Sequence, residues 1–568
     1  MIDLILTSAA ESPVTLFTRN FRVHSGIPLG LYTEGERSPA ALVYGDLSLD
    51  TIRELAPHYR AVIAMPSNGG HEIPEIPRHY ETMTVKAPIL AEIRSYTFPE
   101  FSCFVKTSEG DPLILEGVIG KTLVLLFTAD LVRATIRILS GELEQETGFD
   151  RFGRHLPLPE NIIYAPAVSF HFNLIENAVR YVHRKLGIPL LSIPRWPQSA
   201  PLAIFLSHDV DVVRKWTKKR MAYELLLSFR ETLGMKGMKR LRFTMASIGD
   251  ALKGSDPYWN FDELLIMESG NGFKATWFLA PFGGEFKDRE NEIDPVYRRK
   301  SSEITAMIRR IIDNECELGL HGTRSSYQDP KAFRRQVASF ENRLGFRLYG
   351  VRHHYLMFNH GKTLETAAEA GMIYDATLGF GDRTGYRNGI ASPFFPFITS
   401  HPAGKLVEIP LNFMDGVFLH SSDGEEAVIR RITESYLYAK AAGGLFSVLI
   451  HPGNMDTHEM PPLPRFYQSF LNRCRLDRAC SMTGIDLARW WTAREQVIKS
   501  LECGPEIWRI QGTAIPEEMD FSISAPQIKS MRFAIEGGHG TATLAHDTLI
   551  IRPGKVDPAK GLTVMRRY

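Results

Sequence analysis

Two aspartates stand two residues apart in the stretch FLSHDVDVV, Phe205 to Val213. On an extended strand Asp209 and Asp211 project to the same side, and two carboxylates that close are costly unless solvent or a cation separates them. Further along, His321, Arg352, Asp375, Asp415 and His451 each fall at or just past the end of a short apolar run. Together these are the parts of a metal-assisted hydrolase. A divalent ion with open positions takes His and carboxylate ligands, and an unligated carboxylate beside it accepts a proton from water. A histidine on the opposite side then returns a proton to the leaving group. Asp211 and His321 suit the ligand role, Asp209 that of base, and His451 that of acid; Arg352 can hold Asp209 ionised and orient it. The reaction class is hydrolysis of an amide or ester.

The elements that must position these residues are legible as apolar runs: LAIFLSH (202–208), KATWFLA (274–280), ECELGLH (315–321), RLYGVRH (347–353), MIYDAT (372–377), KLVEIPL (405–411) and FSVLIH (446–451). Between most of them lie helical candidates such as KAFRRQVASFENRLG, so strand and helix alternate and a parallel sheet is expected. Seven such units predict a closed or nearly closed barrel. Its chemistry would lie at the C-terminal ends of the strands, where the loops converge on one mouth. The polar residues fall at those ends. The four prolines of PLLSIPRWPQSAPLA, 189–203, mark a boundary near residue 195. The reading is therefore an α/β class chain: an N-terminal α/β accessory domain (1–195), the barrel (196–498), and a small C-terminal β-rich domain (499–568) built of short alternating runs.

Composition narrows the classes of function. A net charge of +1 over 568 residues argues against a chain built to bind nucleic acid. No run reaches the roughly 18 apolar residues of a membrane span. The N-terminus, MIDLILTSAAESPV, lacks a basic start followed by a long apolar core, so a cytoplasmic location is expected. Five scattered cysteines without CxxC spacing indicate neither a disulfide framework nor a thiolate zinc site. The basic, amphipathic stretch 214–243 is compatible with peripheral contact to an anionic membrane, although such segments are usually a solvated face over a packed one. The Gly- and Pro-rich run GDRTGYRNGIASPFFPF, after Asp375, predicts a loop that lids or walls the mouth.

The ordered set LSHDVDVV, ATWFLAP, ELGLHG, GVRHHY, YDATLGF and VLIHPGN, over roughly residues 200 to 455, resembles the successive motifs of the polysaccharide deacetylase family (NodB-like, carbohydrate esterase family four). The resemblance implies an irregular (β/α)7 barrel that uses zinc or a similar divalent ion to remove acetyl groups from sugars. It places Asp209 as base and Asp211 as metal ligand in an Asp-x-Asp variant of the family's Asp-Asp pair. His321 matches the first metal histidine, Arg352 the arginine that orients the base, and His451 the general acid. Asp375 or Asp415 matches that histidine's acidic partner: Asp375 is grouped with the catalytic set, and Asp415 with Tyr355 and Trp277 as substrate-facing residues. Two departures stand out. The family's second motif usually carries another histidine four residues on, where this chain has Ser325. The third motif, usually Arg-x-Pro-aromatic, reads Arg352-His353-His354-Tyr355 here, with one histidine surplus. The expectation is that His354 replaces the missing ligand, giving an Asp211, His321, His354 site for Zn2+. The expected substrate is an acetylated sugar, as polysaccharide or glycan precursor, with precursor favoured by the cytoplasmic expectation. Hydrolysis of a non-sugar amide, or a degenerate barrel that only binds glycan or scaffolds other proteins, are the alternatives.

Overall fold

The computed structural model describes residues 2–7, 11–31, 38–67, 78–81, 86–89, 101–151, 153–216, 221–222, 226, 244–245, 248–249, 256–282, 294–295, 297, 302–398, 404–420, 424–457, 459–503, 507–510, 513–526, 528, 531–537 and 540–567.

The first 127 residues supply a seven-stranded sheet. Leu29–Leu31, Ile2–Leu6, Ala40–Gly45, Ala61–Pro66 and Thr122–Phe127 run parallel in that order, and Pro112–Ile119 and Phe101–Lys106 extend it antiparallel. The central strands are apolar along their whole length and buried throughout, as expected of a parallel sheet covered on both faces. One covering element is the helix Ala167–Leu186, which ends at Gly187 in the left-handed conformation (φ +68°) that glycine adopts without strain.

The middle of the chain forms a second, curled parallel sheet. From one edge its strands are Val407–Glu408, Tyr374–Asp375, Gly350–His353, Glu317–Gly322, Ala275–Leu279, Ala203–Val210, Leu445–Leu449 and Phe413–Met414. The short run 407–414 thus pairs at its start with one end of the sheet and at its finish with the other. That geometry bends the sheet round and brings the strand ends to a common mouth. Helices follow most strands; Pro330–Leu344, for example, is started by the Asp329 side chain, which accepts from the Lys331 and Ala332 amides, and is closed by Gly345.

Two four-stranded antiparallel sheets complete the chain. One joins Leu501–Cys503, Ile507–Ile510, Leu562–Arg567 and Arg532–Glu536; the other joins Leu190–Ser192, Phe521–Ser524, Thr548–Arg552 and Thr541–Ala545. The C-terminal β unit therefore recruits a strand from just ahead of the expected boundary at 195. Its apolar face shares a core with Trp491 and with Phe205, Phe278 and Tyr374 of the curled sheet.

No helix among the described residues is long and apolar enough to cross a membrane. Most of the stretch 214–243 lies outside the described residues. At its start Lys215 is buried and ion-paired with Asp456 (2.7 Å) and Glu459 (2.8 Å), and Arg214 pairs with Glu303, so these two cations are engaged inside the chain.

Candidate metal-assisted active site

Period-two alternation sorts the first strand of the curled sheet into two faces. Ile204, Leu206, His208 and Val210 point outward, where His208 bonds the Ile450 carbonyl (Nδ1, 2.9 Å) and Glu268 (Nε2, 2.8 Å). Phe205, Ser207 and Asp209 point inward, with Asp211 one step past the strand. Asp209 is buried, and its Oδ1 accepts from Arg352 Nη1 at 3.2 Å; the same nitrogen donates to Ser207 Oγ at 2.8 Å. Arg352 Nε donates to the Ala376 carbonyl (2.8 Å), and its guanidinium lies 4.5 Å from the centre of the Phe278 ring. A guanidinium held on its flanks in this way is a fixed cation for one carboxylate.

Asp211 occupies the centre. Its Oδ1 lies 3.1 Å from His321 Nε2, and its Oδ2 lies 3.7 Å from both His354 Nε2 and His451 Nε2. Asp211, His321 and His354 bring one potential ligand atom each to within 4.8 Å of one another. The hydrogen bonds behind the two imidazoles settle which nitrogen is free. His321 Nδ1 donates to the Arg352 carbonyl (3.0 Å), and His354 Nδ1 donates to Asp294 Oδ1 (2.9 Å), which also accepts from the Arg324 amide (2.8 Å). With the proton on Nδ1, each Nε2 offers a lone pair toward Asp211, the tautomer a metal requires. His321 Nε2 and Asp211 Oδ1 are both buried and, despite their 3.1 Å separation, neither makes an aligned hydrogen bond. Buried acceptors do not face each other without a positive charge between them. Burial alone would push Asp211 up, yet His321, His354 and His451 hold it well below the usual carboxylate range. Burial likewise opposes charge on His321, but Asp209 and Asp211 outweigh it and raise its pKa. A field that retains a proton here retains a cation equally well, so two imidazoles and a carboxylate fit a divalent ion of the zinc type.

His451 faces this cluster from the far side. Its Nδ1 and its own amide both bond Asp415, at 2.8 and 2.7 Å. Burial works to lower its pKa; the Asp415 carboxylate, with Asp211 and Asp209, overrides that and raises it to about 10. Asp415 is wholly buried, its two oxygens bonded to the His451 ring and amide, so it stands as the acidic residue beside that histidine, at the edge of the smaller arm described below. Asp375 does not reach His451. It lies beneath the site, accepting from the Thr377 amide (2.8 Å) and hydroxyl (3.1 Å) beside Glu408, and burial pushes its pKa to about 6.

Trp277 also departs from expectation. It pairs across strands with outward-facing His208, is fully buried, and packs on His208 (4.1 Å) and Phe261 (5.7 Å) behind the sheet instead of lining the mouth. Tyr355 does line the mouth, 39% exposed, with its ring 4.4 Å from that of His354. It adopts φ +60° and Leu356 φ +52°, two successive non-glycine residues in the left-handed region. Such strain at a rim persists only where the surroundings enforce it, and Arg154 Nη1 grips the Tyr355 carbonyl at 3.0 Å. Ser325, at the position of the absent histidine, is exposed and bonds Thr323 Oγ1.

A cavity of about 910 Å3 opens over the cluster. Its floor includes Asp209, Asp211, His321, His354 and His451, and Asp382, Arg383 and Thr384 of the Gly- and Pro-rich loop form part of its wall. Another part comes from Asp150, Arg151, Arg154 and Glu160, far upstream in sequence. A smaller arm of about 320 Å3 leads off beside Tyr258 and Asn454 and shares Asp209, Asp211 and His451. Asp294 and the upstream wall were not anticipated from sequence; no periodic or motif signal marks either.

No family model matches the chain, and no curated protein matches it. Among solved structures, a candidate polysaccharide deacetylase from Mycobacterium smegmatis aligns over 53% of this chain and 93% of its own, at 17% identity and TM-score 0.34. A protein described as a novel carbohydrate deacetylase aligns over 100% of this chain and 99% of its own, at 8% identity and TM-score 0.42. A mutant of a carbohydrate esterase family four pseudoenzyme, with restored activity, covers 50% of this chain and 67% of its own at 10% identity and TM-score 0.25. At such identities and scores the likeness carries no chemistry across; the functional reading stands on this chain's own residues.

Proposed function

We propose that the chain is a metal-dependent deacetylase of an N-acetylated sugar, either polysaccharide or biosynthetic precursor. The catalytic unit is read as an irregular (β/α)7 barrel, residues 196–498, flanked by accessory units 1–195 and 499–568. The observation that carries this is the Asp211 carboxylate facing the Nε2 atoms of His321 and His354, whose Nδ1 atoms are engaged behind, with a clamped carboxylate on one side and the Asp415-paired imidazole of His451 on the other. A divalent ion held by Asp211, His321 and His354, Zn2+ by the donor chemistry, would polarise the acetyl carbonyl and acidify a water.

The remaining steps belong to the chain. Asp209, paired with and aimed by Arg352 and buried beside the cluster, accepts the proton of the attacking water. His451 carries its proton on Nε2, toward the cavity, because Asp415 occupies Nδ1; it delivers that proton to the departing amine nitrogen. Asp415 holds the charged imidazole in place, and Tyr355 forms part of the wall against which the sugar ring rests. Positioned acid and base groups each contribute typically 10²–10⁴-fold. The test is acetate release from a panel of N-acetylated sugars, with Asp209→Asn as control. Wild type should release acetate, and the variant should be slower by about 10²–10⁴-fold while keeping its metal. A metal-loaded wild type that releases acetate from none of them would overturn the reading.

A further inference from the structure

The two arms of the cavity meet at Asp209, Asp211 and His451, which line both. They differ in chemistry. Side chains able to bond hydroxyls line the large arm, among them Asp150, Arg154, Asp382 and Thr384. Beyond the shared groups and Asp415, the small arm is walled by Val212, Tyr258, Met414, Leu419 and Pro452, with His420 and Asn454 as its polar side chains. Tyr258 offers its ring, because its hydroxyl donates to Glu459 Oε2 (2.7 Å) and the ring lies so close on Gly453 that a Cβ there would stand 3.1 Å from it. Val212 is 48% and Leu419 58% exposed, so this arm leaves two large apolar side chains to water. Apolar surface gathered in one concave place marks a site for an apolar group. An amide held between the Asp211 cluster and His451 has two substituents to place, the sugar on its nitrogen and the acyl chain on its carbonyl carbon. A sugar ring in the small arm would lose water from its hydroxyls with few partners to replace it, whereas the large arm supplies them. The acyl chain is therefore the group that matches the small arm. An acetyl methyl is comparable in size with a water molecule, whose share of liquid volume is ~30 Å3, so acetyl alone would leave most of the arm's 320 Å3 unfilled.

We propose that the small arm binds the acyl chain of the substrate and that the protein is an N-deacylase for chains longer than acetyl, up to roughly six to eight carbons. The assignment rests on the amide-hydrolase reading of the Asp211 cluster and leaves its chemistry unchanged. The water oxygen bonds to the acyl carbon as Asp209 takes its proton, the carbon–nitrogen bond breaks, and His451 gives its proton to the nitrogen, so that a carboxylic acid and an amino sugar leave. Each methylene that moves from water onto the apolar wall should raise kcat/KM about two- to fourfold until the arm is full.

The experiment compares kcat/KM for acid release by the zinc-loaded protein across glucosamine N-acylated with acetyl, butanoyl, hexanoyl, octanoyl and decanoyl chains. The value should climb to hexanoyl or octanoyl, exceed that for acetyl by about tenfold or more, and level or fall at decanoyl. Leu419→Trp, at an exposed position, should fill the arm and return the preference to acetyl while acetate release itself is unchanged; Leu419→Gln should reduce the hexanoyl advantage. No gain over acetyl at any chain length, or a gain that neither variant lowers, overturns the proposal. Calorimetric binding of free acetate, butanoate, hexanoate and octanoate keeps it apart from the hydrolytic reading. Affinity that rises with chain length and is lost in Leu419→Trp, without acid release from any of the amides, supports the arm and sinks the hydrolase; affinity flat in chain length, again without release, sinks the arm.

Discussion

Replacing Asp294 is the sharpest probe of the metal cluster, because it removes no ligand. His354 Nδ1 donates to Asp294 Oδ1 over 2.9 Å, and that bond alone fixes which imidazole nitrogen turns a lone pair toward Asp211. Without the acceptor, either nitrogen can carry the proton and the ring is free to rotate. Loss of such a carboxylate behind a ligating histidine typically weakens metal binding 10- to 100-fold, about 1.4–2.7 kcal/mol. Asp294→Asn retains an oxygen acceptor and should sit at or below the low end; Asp294→Ala should approach the high end. His354→Ala, which deletes a ligand, should exceed both. Asp294 Oδ1 also accepts the Arg324 amide, so the alanine variant leaves a buried N–H unpaired, at a folding cost of about 1–3 kcal/mol. Chelator competition on zinc-loaded protein at a temperature where circular dichroism shows each variant folded separates that cost from the metal effect. Zinc affinity in Asp294→Ala within about twofold of wild type, or full zinc retention in His354→Ala, would refute the assignment of His354 as third ligand.

Two further outcomes follow from the buried acids. Asp415→Asn should lower acetate release by about 10²–10⁴-fold through loss of the charged His451, whereas Asp375→Asn should leave a far larger residual rate; the reverse order would return Asp375 to the partner role. Glu144 is buried between Arg387 (2.7 Å) and His360 (2.5 Å), tying the upstream unit to the loop beyond the mouth. Burial would raise its pKa, but Arg387 and His360 prevail and lower it to about 2. A folded-state pKa below the unfolded one gives stability that is present above the ordinary glutamate value and lost as pH falls toward about 2. The amount is of order 3 kcal/mol. Denaturant unfolding should therefore show Glu144→Gln well below wild type at neutral pH, with the gap closing between about pH 5 and 2; a gap independent of pH would show that the ion pairs do not stabilise the junction.

What the sequence made legible was local. Apolar runs ending in His, Asp or Arg located the strands and the mouth, because the period of a strand and its termination are properties of a few adjacent residues. Pairing register and strand order are not. Trp277 sits beside a motif yet faces outward, since the register that pairs it with His208 is set by the neighbouring strand. Choosing Asp415 over Asp375 needed the bend of 407–414, which carries Phe413–Met414 alongside Leu445–Leu449 and lets the Asp415 amide bond the Leu449 carbonyl at 3.1 Å. Asp294 and Arg154 arrive from segments with no alternation and no motif, and only long-range packing brings them against His354 and Tyr355.

On the proposed ligand set, the motif RHHY lets a sheet take the place of a helical turn. Two histidines four apart need one turn of helix after the strand to share a face, and Ser325 shows that this turn points to solvent here. The adjacent strand offers another route. His321 pairs directly with Arg352, so both face inward; alternation then sends His353 outward and returns His354 to the inner face, just past the strand end. His353 can turn outward because its pairing partner is Gly322, where even a Cβ would come within 2.6 Å of the imidazole, and its ring packs on Phe333 of the covering helix. The surplus histidine is thus the spacer that alternation requires. On the proposed reading, an arginine for the base, an apolar-facing histidine for the helix and a metal ligand occupy three successive positions because a strand must visit both faces in turn.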